Sequence, residues 1–160
     1  MLERSVPGLP VVFPDPLSIQ RLHDRIIERV GGASGLRDLN LLLGAWARVE
    51  TSLFYDRDLD TIDVAARLAV SIVKAHAFVD GNKRAAHGAL AMTFAMNGFH
   101  LSAAPEDTCR AIVAAAAAPD GVADFTAWLR GHARPDPVYQ ALFDHDRGLQ
   151  QDGDDVDPRP

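Results

Sequence analysis

Apolar positions along this chain recur mostly three and four residues apart, so the pattern predicts helices. After an extended stretch with Val11, Val12 and Phe13, which forms a short strand or packs on the domain, Asp15-Pro16-Leu17-Ser18 has the form of a helix start. Leu17, Ile19, Leu22, Ile26, Ile27 and Val30 carry the first helix to the stop at Gly31-Gly32. A second helix is expected from about Asp38 to Glu50 (stripe Leu42, Leu43, Trp46, Val49). A third runs from Thr61 to about Ala75, with enough apolar positions to be largely buried. A fourth, from Asn82 to the stop at Asn97-Gly98, has the character of a central helix. A fifth begins at Pro105-Glu106-Asp107 and ends at Pro119-Asp120-Gly121, and a sixth spans about Val122 to His132. The expected fold is all-α, one compact bundle of about six helices. Thr51 to Asp60 is turn-rich, and Leu53-Phe54-Tyr55 within it reads equally as core or as a short β flap.

Composition sets the ends. Residues 1–16 hold four prolines and read as an extended leader, 17–133 as the domain, and 134–160 as an acidic, largely disordered tail. With 48% hydrophobic and 24% charged residues the chain is ordinary for a soluble domain. Its net charge of −6 weighs against direct nucleic-acid binding. The single cysteine, Cys109, reads as a small buried residue and suits a reducing compartment. The first residues lack a signal-peptide core, and the apolar run Ile112 to Ala118 is far too short to span a membrane, so a cytoplasmic location is expected.

The chemistry lies between the third and fourth helices, in His76-Ala77-Phe78-Val79-Asp80-Gly81-Asn82-Lys83-Arg84. A helix starting at Asn82 leaves the first amides without intrahelical acceptors, at the positive end of the helix dipole, where phosphates bind. Gly81 lets an anion approach the backbone, and Lys83 and Arg84 add charge, Arg84 with a fork that suits phosphate. Asp80 suits Mg²⁺, which takes one or two carboxylates with phosphate oxygens and water. His76 is a candidate general base for a hydroxyl at neutral pH. Phe78 reads as the anchor of the loop. His23, His87, His100, His132 and His145 show no metal-site spacing and read as structural or solvated; of these, His87 alone stands on the Lys83 side of its helix.

This loop resembles the signature of the Fic/Doc superfamily, and of its Doc branch in particular, because Lys83 stands where Fic proteins carry a second glycine. Leu22-His23-Asp24, Gly31-Gly32 with Gly35-Leu36-Arg37-Asp38, and Asn97-Gly98-Phe99 extend the likeness over roughly residues 11–133. Ala77, Ala85 and His87 depart from common family residues; His87 replaces an arginine of the Fic type. No Ser/Thr-x-x-x-Glu-Gly/Asn inhibitory segment is found.

The resemblance implies a bundle around the motif helix and an activity that modifies a protein hydroxyl with ATP and Mg²⁺. On this reading His76 is the base, Asp80 the Mg²⁺ ligand, and Gly81, Asn82, Lys83 and Arg84 the phosphate cradle. Doc-like members move the γ-phosphate to a threonine of elongation factor Tu and are held by an antitoxin. The alternatives are AMP or other nucleotidyl transfer on the same scaffold, and a catalytically silent module that binds a partner.

Overall fold

The computed structural model describes residues 10–139 and 141; the leader before residue 10 and most of the acidic tail lie outside the described residues. Among the described residues six helices are delimited, α1 (Pro16–Val30), α2 (Leu39–Tyr55), α3 (Thr61–Ala75), α4 (Asn82–Met96), α5 (Pro105–Ala117) and α6 (Gly121–His132), and residues 137–139 and 141 are helical as well. The all-α expectation holds. Two short strands, β1 (Phe99–Leu101) and β2 (Ala133–Pro135), form the only sheet among the described residues. They run antiparallel, with Phe99 opposite Pro135, His100 opposite Arg134 and Leu101 opposite Ala133.

The helix of Thr61–Ala75 is the one buried on most sides. Thr61, Ile62, Val64, Ala65, Ala66, Leu68, Ala69, Val70, Ile72 and Val73 are all buried, leaving one narrow polar strip. It packs against α2, α4, α5 and α6, while the motif helix α4 fills the space between α3, α1 and α5. Ala85, Ala86 and Ala89 let α4 and α3 approach closely, and Leu90 and Phe94 complete the core. The bundle is thus centred on the pair α3 and α4.

Two local expectations change, and an alternative left open at the start of the chain is decided. The second helix continues five residues past Glu50, to Tyr55, so Leu53-Phe54-Tyr55 is its last turn and no β flap. Nothing in Thr51–Tyr55 breaks a helix: Ser52 donates its hydroxyl to the Arg48 carbonyl one turn back, and Leu53 packs on the core while Phe54 and Tyr55 remain exposed. The domain also runs beyond 133, because Arg134 and Pro135 lie in β2 and the Asp136 amide donates to the Gly98 carbonyl. The start of the chain is anchored without becoming a strand. The Asn97 side chain accepts from the Val12 amide at 3.0 Å and donates to the Val12 carbonyl, while Trp46 Nε1 donates to the Pro14 carbonyl and its ring meets Phe13.

Candidate active site

The loop between α3 and α4 turns on two left-handed residues. His76 ends α3 with φ 47° and is the one non-glycine residue of positive φ among those described. Gly81 precedes α4 with φ 75°. A histidine in that region is uncommon and costs backbone energy, on the order of 1–3 kcal/mol, which the surroundings must offset. Here the surroundings do so. Ala77 and Phe78 are buried, Arg37 and Asp38 amides donate to the Ala77 carbonyl, and the Val79 amide donates to the Gly35 carbonyl, so Leu36 and Phe78 form an antiparallel bridge. The imidazole itself is exposed and has no hydrogen-bond partner among the described residues.

All six residues expected in the site line one cavity of about 750 Å³. Its floor is the loop and the start of α4; α5 supplies a wall through Cys109, Val113, Ala116 and Ala117, spaced along one helix face. Lys74, at the end of α3 and outside the motif, adds a further cation to the lining. The amides of Asn82, Lys83 and Arg84 meet no acceptor among the described residues, and no side chain caps this helix start. Lys83 is exposed beside them.

Two members of the expected cradle have other duties. The Asn82 side chain faces back into the loop, accepting from the Phe78 amide and donating to the Phe78 carbonyl, each at 3.0 Å. Only its backbone amide is left for a ligand. Arg84 donates to the Gly31 carbonyl at 2.9 Å and lies 3.5 Å from the Asp80 carboxylate, so it ties the glycine turn after α1 to the motif loop.

Asp80 sits at the meeting point. Its Oδ1 accepts from the Gly81 amide at 2.6 Å and its Oδ2 from the Ala33 amide at 3.3 Å, and it remains half-exposed on the cavity. Gly32 closes over it so tightly that a Cβ there would stand 2.5 Å from Asp80 Oδ2. Among the described residues no group of three or more His, Cys, Asp or Glu could enclose a metal. One half-exposed carboxylate fits a Mg²⁺ that shares its ligation with nucleotide phosphates, and does not fit an ion held by protein alone.

Beneath the loop lies a histidine that the sequence marks only as structural or solvated. His23 of α1 is buried, stacks on Phe78 with centroids 4.0 Å apart, and donates from Nε2 to the Asp80 carbonyl at 2.8 Å. The spacing Ile19, His23, Ile27 puts it on the buried face of α1, a signal present in the sequence. Cys109 also departs from expectation, lining the cavity instead of filling the core; burial, then the charge of Glu106, raises its thiol above the ordinary value and keeps it neutral. His87 is absent from the cavity lining; burial lowers its pKa and the charge of Glu106 of α5 opposes that effect.

The Fic/DOC family matches residues 14–95, from the turn before α1 to the end of α4. The chain is also 31% identical over 91 residues to "Protein kinase doc" of Escherichia phage P1, covering 57% of this chain and 72% of the relative. The chain belongs to the Fic/DOC family. Its likeness to the phage protein puts it on the Doc side of that family. The matched span takes in every residue of the motif and both elements, α1 and the glycine turn, that hold the motif loop from below.

Proposed function

We propose that this chain is a Doc-like toxin of a toxin–antitoxin pair, a protein kinase that transfers the γ-phosphate of ATP to a Ser or Thr hydroxyl of a translation factor, elongation factor Tu or one like it. The observation that carries the reading is one cavity joining a partner-free imidazole at His76 to the unpaired amides and cations at the start of α4. The similarity to a protein whose name is "Protein kinase doc" supports the choice of kinase chemistry.

In the proposed reaction His76 takes the proton of the acceptor hydroxyl as that oxygen bonds to the γ-phosphorus. The bond from the γ-phosphorus to the bridging oxygen breaks, ADP leaves, and the proton passes from His76 to solvent. The amides of Asn82, Lys83 and Arg84 and the ammonium of Lys83 face the negative charge of the phosphates. Lys83 occupies the place where a glycine would leave room for the orientation that suits AMP transfer, so its bulk and charge favour delivery of the terminal phosphate. Mg²⁺ bound with the nucleotide would be held by Asp80 and would neutralise phosphate charge. Since the acceptor and ATP are cytoplasmic, so is the proposed site of action, and an antitoxin is the proposed means of control. No helix among the described residues is long and apolar enough to cross a membrane.

The test is the intact mass of purified elongation factor Tu after incubation with the protein, ATP and Mg²⁺. A single added phosphate is expected, and His76→Ala should lower its rate by about 10²–10⁴-fold. An added nucleotide monophosphate would replace kinase by nucleotidyl transfer. Growth arrest that persists undiminished in His76→Ala would overturn both in favour of a silent binding module.

A further inference from the structure

The peptide unit joining Asp80 to Gly81 is gripped at both ends. Its carbonyl oxygen accepts from His23 Nε2 at 2.8 Å. Its N–H donates to Asp80 Oδ1 at 2.6 Å. This unit leads into Gly81 at φ 75°, the residue that turns the chain into α4, and the Gly81 carbonyl then accepts the Ala85 amide of the first turn. The orientation of one peptide therefore fixes two things together: where the Asp80 carboxylate points and how the first amides of α4 are presented.

His23 is held for this task from the opposite side. Its Nδ1 lies 3.2 Å from the half-exposed Asp24 carboxylate, its ring is nearly parallel to Phe78, and it is 1% exposed. Gly81 leaves no room for adjustment, since a Cβ there would come within 3.3 Å of His23 Nε2 and 3.0 Å of Ile27 Cδ1. Hydrogen bonds from groups that touch no ion are a general means of orienting the ligands of a metal site, and the contact from His23 to the Asp80 backbone is of that kind.

We propose that Asp24 and His23 act as a positioning relay that locks the Asp80–Gly81 peptide in the orientation needed to bind Mg²⁺–nucleotide; the inference rests on the reading of Asp80 as the Mg²⁺ ligand. His23 touches no reacting atom. It acts through the loop.

Binding of an ATP analogue with a non-hydrolysable β–γ bridge, measured by calorimetry on the full chain across a Mg²⁺ series, reads this without reference to turnover. His23→Asn, whose short amide cannot reach the Asp80 carbonyl, should raise the Mg²⁺ concentration for half-saturation about 10–100-fold. His23→Gln, whose amide nitrogen can take the place of Nε2, should recover most of that loss. Asp24→Asn should give a smaller rise in the same direction. Ile19→Val, on the same buried face of α1, should lower the melting temperature and leave the Mg²⁺ midpoint in place. A folded His23→Asn with the wild-type midpoint, or an Ile19→Val that shifts the midpoint as far, overturns the relay. Where His23→Asn does not fold, an unshifted midpoint in Asp24→Asn overturns it. Wild-type protein that binds no Mg²⁺–nucleotide overturns the reading of the site itself and the relay with it, a result distinct from wild-type binding with unmoved variants.

Discussion

Helices α3 and α4 are packed against one another, yet their N-termini are finished in opposite ways. At the start of α3, Asp60 accepts from the Ile62 and Asp63 amides, and Asp63 accepts from the Asp60 amide in return, a reciprocal cap. Arg130 of α6 then binds both carboxylates, at 2.6 and 3.2 Å. The Asp60, Ile62 and Asp63 amides at this helix start are thus taken up by the protein's own carboxylates. At the start of α4, Gly81 brings no side chain, the first amides have no acceptor among the described residues, and Lys83 adds positive charge where an acid would suit the helix dipole. The first arrangement stabilises the fold. The second forgoes that stabilisation and leaves a place for phosphate.

Lys83 is where the two helix starts differ most. Lys83→Glu should raise the melting temperature slightly, because an acid in the first turn contributes about 0.3–1 kcal/mol through the dipole. The same change should weaken nucleotide binding by tenfold or more, since repulsion replaces attraction in the cradle. Calorimetric binding and thermal unfolding of one variant then move in opposite directions. Equal losses in both would contradict the contrast.

Next in size is Asp60→Ala, which should cost about 1 kcal/mol by removing the cap, read in urea unfolding, with nucleotide affinity unchanged. Its pH dependence follows. Burial works to raise the Asp60 carboxyl, but hydrogen bonds from Arg130 and the Asp63 amide outweigh it and hold the group below its ordinary value of 3.8. A carboxyl depressed in the folded state stabilises fully above its unfolded value and loses that contribution as pH falls through the folded one. Wild-type stability should therefore decline below about pH 4 more steeply than that of Asp60→Ala.

The smallest effect lies one turn further into α4. Burial lowers the pKa of His87 from 6.5, against a weaker opposing effect of Glu106. Unfolded chain binds the proton more readily, so stability should fall as pH drops below 6.5. His87→Gln should flatten that part of the profile without changing nucleotide binding; a slope that persists would place its origin elsewhere.

Much of this molecule could be read from the order of its residues. Helix starts and stops at Asp15-Pro16, Gly31, Pro105 and Gly98 are local chemistry, and the nine-residue run His76–Arg84, from the end of one helix into the start of the next, announces the site. The end of α2 is not legible in the sequence because polar residues around Thr51 suggest a turn, while Leu53 continues the helix by packing on the core. The strands at Phe99 and Ala133 are three residues each, too short to carry a period, and exist because the chain ends of α4 and α6 meet.

Membership of the Fic/DOC family and the helical character of the bundle are legible in the order of residues, as is the loop that carries the motif, because caps, helical periodicity and the motif act over a few residues. Tertiary structure decided how that loop is held. Asn82 turns inward to Phe78, Arg84 reaches the glycine turn, and His23 supports the Asp80 carbonyl from 57 residues away. Contacts at such separation depend on how α1, α3 and α4 pack together, and no local pattern encodes which polar atom will meet which.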